Sequence, residues 1–389
     1  MKNFIKYINA INHNPVFPKP AKQTTTILMP ELDTTEGIYR SLLPSYILNS
    51  LDDYRVIISG MTEKTKISNN AKDAEITLSL IKESDHIVFP FVSYPLQPII
   101  DEIRQIKKDI MFSYYIDANY YIMPDTYPFA NEYKLPRMIE TIEANIKAVD
   151  QVIVTNKALK DYIGDKIKER YPDVKFNTDI VWQPLLIMPE LFKTDYEMAL
   201  DKKKVKILII GDEFQFSDIN FIKGILKDVK VKYKDSAEIH ILGFNGIRGE
   251  KNYLQDLEFK YHERVPYFKY FELIKHIAPN LFLIPANGNK FADTSKNNIK
   301  YLEFAYLNVP VIAPNIKPYS ENLIKTNENG FLCDKKEDYF MQIESFFTVQ
   351  DKFTRVPDLA YTTASDYNIT LDNNINILKS IYFPPYAKK

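Results

Sequence analysis

Lys296, Lys300 and Glu303, in the segment ANGNKFADTSKNNIKYLEF (residues 286–304), have types and spacing that could bind an anion. They fall at i, i+4 and i+7, so a helix opening near Ser295 would carry all three on one face. Two ammonium groups beside a helix N-terminus attract phosphate, because unsatisfied amides and the helix dipole favour negative charge there. A carboxylate one turn deeper can accept hydrogen bonds from vicinal hydroxyls such as those of a ribose. The same spacing also describes an amphipathic helix whose Lys–Glu pairs face solvent. Further upstream, Tyr115-Ile116-Asp117-Ala118-Asn119-Tyr120 closes an apolar run. Asp117, at a strand end, is placed either to serve a cleft or to cap the next turn. Glu36-Gly37-Ile38-Tyr39-Arg40 lies at the first strand-to-helix junction. It reads at least as a helix start, with Thr34 or Thr35 as cap and Gly37 supplying backbone freedom.

Composition excludes several other chemistries. Glycine supplies 10 of 389 residues, about 2.6% against a usual ~7%, which nearly excludes a glycine-rich phosphate loop. No G-x-x-x-x-G-K-[ST] and no G-x-S-x-G occurs, so a P-loop nucleotidase and a hydrolase nucleophile elbow are unsupported. His13, His86, His240, His262 and His276 lack metal-ligand spacing, Cys333 is the single cysteine, and no metal site is expected. His240, inside an apolar run, reads as a packed core residue. Fifty basic against fifty-one acidic residues give a net charge of −1, so no global field draws the chain onto nucleic acid. The aromatic share of 13% falls mostly in strands and apolar helix faces and reads as core. No apolar run reaches the ~18 residues of a membrane span. Met1–Lys22 does not read as a signal peptide, which with the lone thiol favours the cytoplasm. Lys2, Phe4, Lys6 and Tyr7 could form a small patch for peripheral contact at the inner face of a membrane; a short exposed helix is the plainer alternative.

The elements that must position these residues follow one grammar twice: short apolar strands alternating with helices, the mark of parallel α/β layers. In the first half, strands are expected at Thr24–Pro30, Tyr54–Ser59, His86–Phe91, Met111–Ile116 and Gln151–Thr155. Helices are expected at Gly37–Leu51, Asp73–Glu83, Gln97–Lys108, Leu135–Ala148 and Asn156–Arg170. After an expected strand at Asp179–Leu186, the second half restarts at Val205–Gly211. Its further strands are Glu238–Phe244, Leu281–Pro285, Val309–Pro314 and Gly330–Cys333. Its helices are Asp218–Asp228, Tyr267–Ile277, Asn297–Leu307 and Lys336–Phe347. The organisation read from this is an extension over 1–22, a first domain over 23–185, a linker over 186–204 and a second domain over 205–350. A tail over 351–389 ends in a helix expected to pack back on the first domain. Two Rossmann-like parallel-sheet domains of this kind bind ligand in the cleft between them, at the carboxyl ends of the strands.

Lys300-Tyr301-Leu302-Glu303, Val309-Pro310-Val311-Ile312-Ala313, Pro318-Tyr319 and Asn329-Gly330-Phe331-Leu332 together resemble the donor-binding region of GT-B glycosyltransferases, of the retaining family 4 group. Of that group's Glu-x7-Glu motif, Glu303 matches the second acid, and Ser295 stands where the first would be. Phe291 and Lys296 partly match the F-N-x-x-K-S run of O-antigen and capsule transferases, with Ala292 for the Asn and one extra residue. Ile209-Ile210-Gly211 followed by Ser217-Asp218 resembles the first strand and loop of a nucleotide-sugar domain. His262-Glu263-Arg264-Val265-Pro266-Tyr267 stands where the family has a segment beside the nucleobase. The run from Tyr115 to Tyr120 resembles the Y-x-I-D-D-x-[YF] segment of relatives acting on bacterial surface polysaccharides, with Ala118 replacing the second acid.

The resemblance spans about Thr24 to Tyr382 and implies an α/β protein of the GT-B fold. It implies transfer of a sugar from a nucleotide diphosphate donor to a glycan or lipid-linked glycan, with retention of configuration and without a metal or resident cofactor. The donor would meet Gly211, Ser217, Asp218, Lys296, Asn297, Lys300, Glu303 and Tyr319; the acceptor side would hold Glu36, Gly37, Arg40, Asp117 and Asn119. Glu303 would hold ribose or sugar hydroxyls, Lys296 and Lys300 would neutralise the diphosphate leaving group, and Asp117 would serve catalysis from the acceptor side. No residue identifies itself as a covalent nucleophile. Two other readings stay open: a silent nucleotide- or carbohydrate-binding protein on the same fold, and a nucleotide-sugar 2-epimerase.

Overall fold

The computed structural model describes residues 7, 21–29, 34–59, 67–68, 76–127, 130–133, 135–174, 177–192, 204–211, 215–248, 251–349 and 354–385. The chain forms two compact units: residues 1–121, 132–191 and 368–389 make the first, and residues 122–131 and 192–367 the second.

In the first unit, strands β1 (Gln23–Leu28), β2 (Tyr54–Ser59), β3 (His86–Phe89), β4 (Met111–Ile116), β5 (Gln151–Val154) and β6 (Asp179–Trp182) form one sheet in the order β2-β1-β3-β4-β5-β6. All of its pairings are parallel. The strands are short and mostly apolar because a parallel sheet is covered on both sides, but Thr25, His86, Ser113 and Gln151 place buried polar groups in this one. The last strand ends at Trp182, four residues short of the expected Leu186, because Pro184 has no N–H for the ladder. The expected helix over Asp73–Glu83 is shorter at its start, since Ile76–Thr77 forms a strand and helix runs only from Leu78 to Glu83. Residues 71–75, and nearly all of the expected 1–22 extension, lie outside the described residues.

The helix Asp372–Tyr382 belongs to this unit and is fastened to the sheet by buried polar groups. His86 Nδ1 lies 2.9 Å from the Tyr382 carbonyl, and His86 Nε2 lies 2.7 Å from Ser113 Oγ. A carbonyl only accepts, so Nδ1 carries the proton and Nε2 accepts from Ser113. Gln151 Nε2 donates to Ser113 Oγ at 3.2 Å and to the Ile381 carbonyl at 3.1 Å.

The second unit holds β7 (Val205–Ile210), β8 (Ala237–Leu242), β9 (Lys260–His262), β10 (Leu281–Leu283), β11 (Val311–Pro314) and β12 (Phe331–Cys333), in the order β9-β8-β7-β10-β11-β12 and again all parallel. Numbered within the unit, this is the 3-2-1-4-5-6 order of a dinucleotide-binding sheet. The central β7 is sealed: Ile207, Leu208 and Ile209 are each 0% exposed, and burying one such side chain stabilises by roughly 1.5–3 kcal/mol. The helix Phe216–Tyr233 packs on the helix Lys336–Thr348, where Tyr233 and Phe347 stack with centroids 3.7 Å apart.

Order reverses between β7 and β10, since the chain runs outward through β8 and β9 and then returns to the other side of β7. Helices on opposite faces diverge at such a point and leave a crevice outside the carboxyl ends of the strands. In the first sheet the reversal falls between β1 and β3.

Candidate functional site

The crevice of the second unit is flanked by the segments that leave the carboxyl ends of β7 and β10. Gly211 ends β7 and donates its N–H to the Leu242 carbonyl at 3.1 Å. A Cβ there would meet Gln215 Cβ at 3.0 Å and Ile219 Cδ1 at 3.1 Å, so a larger residue fits only if these side chains give way. Residues 212–214 lie outside the described residues. Ser217, expected in the loop, and Asp218, expected to open the helix, both lie in the first turn of the helix Phe216–Tyr233. Asp218 is 8% exposed and forms an ion pair with Lys296, which lies beyond β10. Burial alone would lower Lys296, but Asp218, aided by Tyr127 and Tyr319, raises it above the ordinary lysine range. Tyr319, also buried, is pushed up to about 12 by burial, against the pull of Lys296. Tyr127 packs edge-on to Phe291 at 5.1 Å.

The expected single helix face carrying Lys296, Lys300 and Glu303 is not formed. Asn289 caps a short helix, Lys290–Ser295, by accepting from Ala292 N–H at 2.9 Å. Lys296 is the C-cap of that helix with extended backbone, φ −74° and ψ 155°. Asn297 then accepts from Ile299 N–H at 3.2 Å, and a second helix runs Ile299–Tyr306. Asn297 breaks the helical run because its side chain bonds the local backbone in place of the helix ladder, while Asn298, at the start of the second helix, makes no side-chain cap bond. Lys300 and Glu303 remain together at i, i+3, while Lys296 approaches from the turn before them.

Glu303 is 0% exposed. Lys300 Nζ donates to its Oε2 at 2.9 Å, Tyr270 OH to Oε2 at 3.3 Å and Tyr267 OH to Oε1 at 3.4 Å. Lys300 also reaches Tyr270 OH at 3.0 Å and lies 4.6 Å from the centroid of that ring. Tyr270 was not singled out by sequence reasoning, and Tyr267 only as the end of the segment expected beside the nucleobase; their i, i+3 spacing on the expected helix Tyr267–Ile277 was the available signal. Lys296 is paired with Asp218 and Lys300 with Glu303, so the formal charge of the four is zero. The lysines bring N–H donors to the crevice with no surplus of positive charge.

Gly243 is a further residue that sequence reasoning passed over. Its φ is +96°, and a Cβ would stand 2.5 Å from the Gly211 carbonyl oxygen. Only glycine fits there, and it lets the ends of β7 and β8 close on one another. At the neighbouring edge, His240 is 4% exposed as expected of a core residue. It is also hydrogen-bonded, with Nε2 3.0 Å from Glu238 and Nδ1 2.8 Å from Nε2 of His262. Burial lowers His240 to about 4. His262 is the one residue of the expected base-side segment in that chain of bonds. Among the described residues, no group of three His, Cys, Asp or Glu is placed to hold a metal ion.

In the first unit, Thr34 caps the first helix by accepting from Gly37 N–H at 3.0 Å. Gly37 itself has ordinary helical angles, φ −58° and ψ −42°, so the conformational freedom expected of it is unused. From Ile38 to Leu42 the helix widens to a π turn before Leu43–Leu48 continues as α. Pro44 cannot donate to the Arg40 carbonyl, and Tyr382 OH does so instead at 2.6 Å. Arg40 Nη1 bonds Asp117 Oδ2 at 3.2 Å, and Tyr120 OH donates to Asp117 Oδ1 at 2.7 Å. Burial opposes the Arg40 charge, while Asp117 first and then Glu36 raise it. Asp117 keeps 29% side-chain exposure and Asn119 is fully buried. The structure thus brings Arg40, Asp117 and Tyr120 together, with Glu36 acting on Arg40 through its charge.

No protein-family model and no curated protein sequence matches the chain. Solved structures do match in fold. Sucrose-phosphate synthase from Thermosynechococcus elongatus superposes with a TM-score of 0.62 at 12% identity, covering 92% of this chain and 98% of that one. A glycosyltransferase from Rickettsia africae gives 0.60 at 14% identity, covering 95% and 100%. Anabaena HepE, solved in complex with UDP and glucose, gives 0.60 at 13% identity, covering 93% and 99%. Together with the two parallel sheets, these likenesses define an α/β protein of the GT-B fold.

Proposed function

We propose that the chain is a glycosyltransferase that moves a sugar from a nucleotide diphosphate donor to a glycan or lipid-linked glycan acceptor. The observation that carries this reading is that the segments following β7 and β10, the strands at the reversal point of the second unit's sheet, carry an Asp218–Lys296 pair and a Lys300–Glu303 pair, the latter bonded by two tyrosines. HepE, of the same fold, holds UDP and glucose. In this reading the second unit takes the donor. Lys300, whose side chain keeps 26% exposure, gives an N–H to the phosphates. Lys296 does the same by exchanging Asp218 for phosphate oxygen. These donors stabilise charge that develops on the leaving nucleoside diphosphate as the glycosidic bond breaks. Glu303, sealed behind Lys300, acts by holding that ammonium. In the first unit, Arg40 and Tyr120 hold Asp117 oriented for an acceptor hydroxyl, with Glu36 acting on Arg40 through its charge. Retention of configuration and independence from metal and cofactor are parts of the proposal. So is placement in the cytoplasm; Tyr7 of the expected membrane patch instead donates its hydroxyl to Ser45 Oγ at 2.9 Å, and among the described residues no helix is long and apolar enough to cross a membrane.

A thermal-shift screen of nucleotides and nucleotide sugars tests the donor assignment, because a ligand that binds only the folded state raises the melting temperature by mass action. Stabilisation by a nucleoside diphosphate and its sugar conjugates, selective for one base, is expected. Uniform absence of a shift across uridine, guanosine, adenosine, cytidine and thymidine diphosphates contradicts it.

A further inference from the structure

Lys300 is useful as a phosphate donor only if its flexible stem is held. A free lysine side chain loses rotamer entropy on ordering, and that loss weakens any bond it then makes. Three groups remove this freedom before a ligand arrives. Glu303 Oε2 takes one N–H at 2.9 Å, Tyr270 OH takes a second at 3.0 Å, and the Tyr270 ring lies 4.6 Å from the nitrogen. Tyr270 also donates to the same carboxylate oxygen at 3.3 Å, closing a triangle of bonds. The tyrosine is 7% exposed and comes from the helix Tyr267–Ile277, so a different element from the one bearing Lys300 fixes its ammonium.

We infer that Tyr270 is a positioning residue that aims the third N–H of Lys300 at a phosphate oxygen of a nucleoside diphosphate. This rests on the donor reading above and deepens it. Burial, with Glu303 adding, raises the Tyr270 hydroxyl well above its ordinary range, so its proton stays in place to bond Glu303 while its oxygen accepts from Lys300.

The test is calorimetric binding of UDP, GDP, ADP, CDP and thymidine diphosphate, and of the five matching nucleosides, to the full chain and to Tyr270→Phe. The variant keeps the ring and its packing and removes the oxygen. A bond to a charged group is lost, so the diphosphate that binds wild type should bind the variant about tenfold more weakly. The matching nucleoside should bind both proteins equally. A Tyr270 that only supports packing would lower the melting temperature and leave the ratio of diphosphate to nucleoside affinity unchanged; that result overturns the assignment. Wild-type protein that binds none of the diphosphates overturns the assignment and the donor reading together. Should Tyr270→Phe not fold, Glu303→Gln must show the same phosphate-selective loss, and an unchanged ratio there is equally fatal.

Discussion

Removing Lys300 and removing Glu303 are unequal experiments, because only the carboxylate is sealed from water. Lys300→Ala removes the ammonium that pairs with a fully buried carboxylate, whereas Glu303→Ala leaves an ammonium that can turn outward. Breaking a buried pair from the side that leaves its partner buried costs about 3–5 kcal/mol. Urea denaturation should therefore show Lys300→Ala as the more destabilised of the two, by about 2 kcal/mol; equal midpoints would mean that the carboxylate is not sealed. Both should lower turnover of a nucleotide sugar at least tenfold, about 1.4 kcal/mol in the barrier, measured well below either melting temperature. The identity of these two residues was legible from i, i+3 spacing. Their environment was not, since Tyr267 and Tyr270 look like any aromatics on an apolar helix face until the neighbouring helix is placed against them.

At the scale of elements, strands were the most legible feature because a parallel sheet buries both faces and leaves apolar runs such as Ile207–Ile210. Breaks were harder. Helical periodicity continues through Asn297 and Asn298, so the pattern hid the turn that sets Lys296 apart from Lys300. The π turn around Arg40 was invisible for a different reason: its stabilising hydroxyl, Tyr382, lies 342 residues away in sequence. The attachment of that C-terminal helix makes a pH prediction. Burial holds His86 at about 4, below its unfolded value of 6.5. Between those values the unfolded chain binds more protons, so stability is fully present above pH 6.5 and declines as the pH falls towards 4. The full loss from this residue is about 3 kcal/mol. Denaturation midpoints measured across that window should fall with pH in wild type and fall less in His86→Asn. An identical decline in the variant would assign the effect to other groups.

At the scale of the whole molecule, the proposed donor site would let a chain so poor in glycine hold phosphate at the order reversal of the second sheet. Gly211 and Gly243 supply the close approach of strand ends, and N–H donors come from side chains where other folds use a loop of backbone amides. Because each lysine in the site is matched by a carboxylate, association with a nucleoside diphosphate should depend only weakly on salt. Raising ionic strength by about tenfold should change its dissociation constant less than about threefold, whereas two unpaired lysines would give a far steeper loss. The fold itself was readable from the alternation of strands and helices, and the likeness to solved structures was not needed to propose it. What the sequence could not show was which partners the charged residues would choose.

The central claim is that the chain breaks the bond between a sugar and a nucleoside diphosphate and delivers the sugar to an acceptor. The most direct measurement is nucleoside diphosphate release from a panel of nucleotide sugars, with and without glycan and lipid-linked acceptors, with the sugar product followed by mass. The account predicts release from a donor of one base, accelerated by an acceptor that gains the sugar, and reduced at least tenfold in Lys300→Ala, about 1.4 kcal/mol in the barrier. Binding of the donor without release or transfer across the panel, or conversion of the donor to an isomer in the absence of any acceptor, would contradict it.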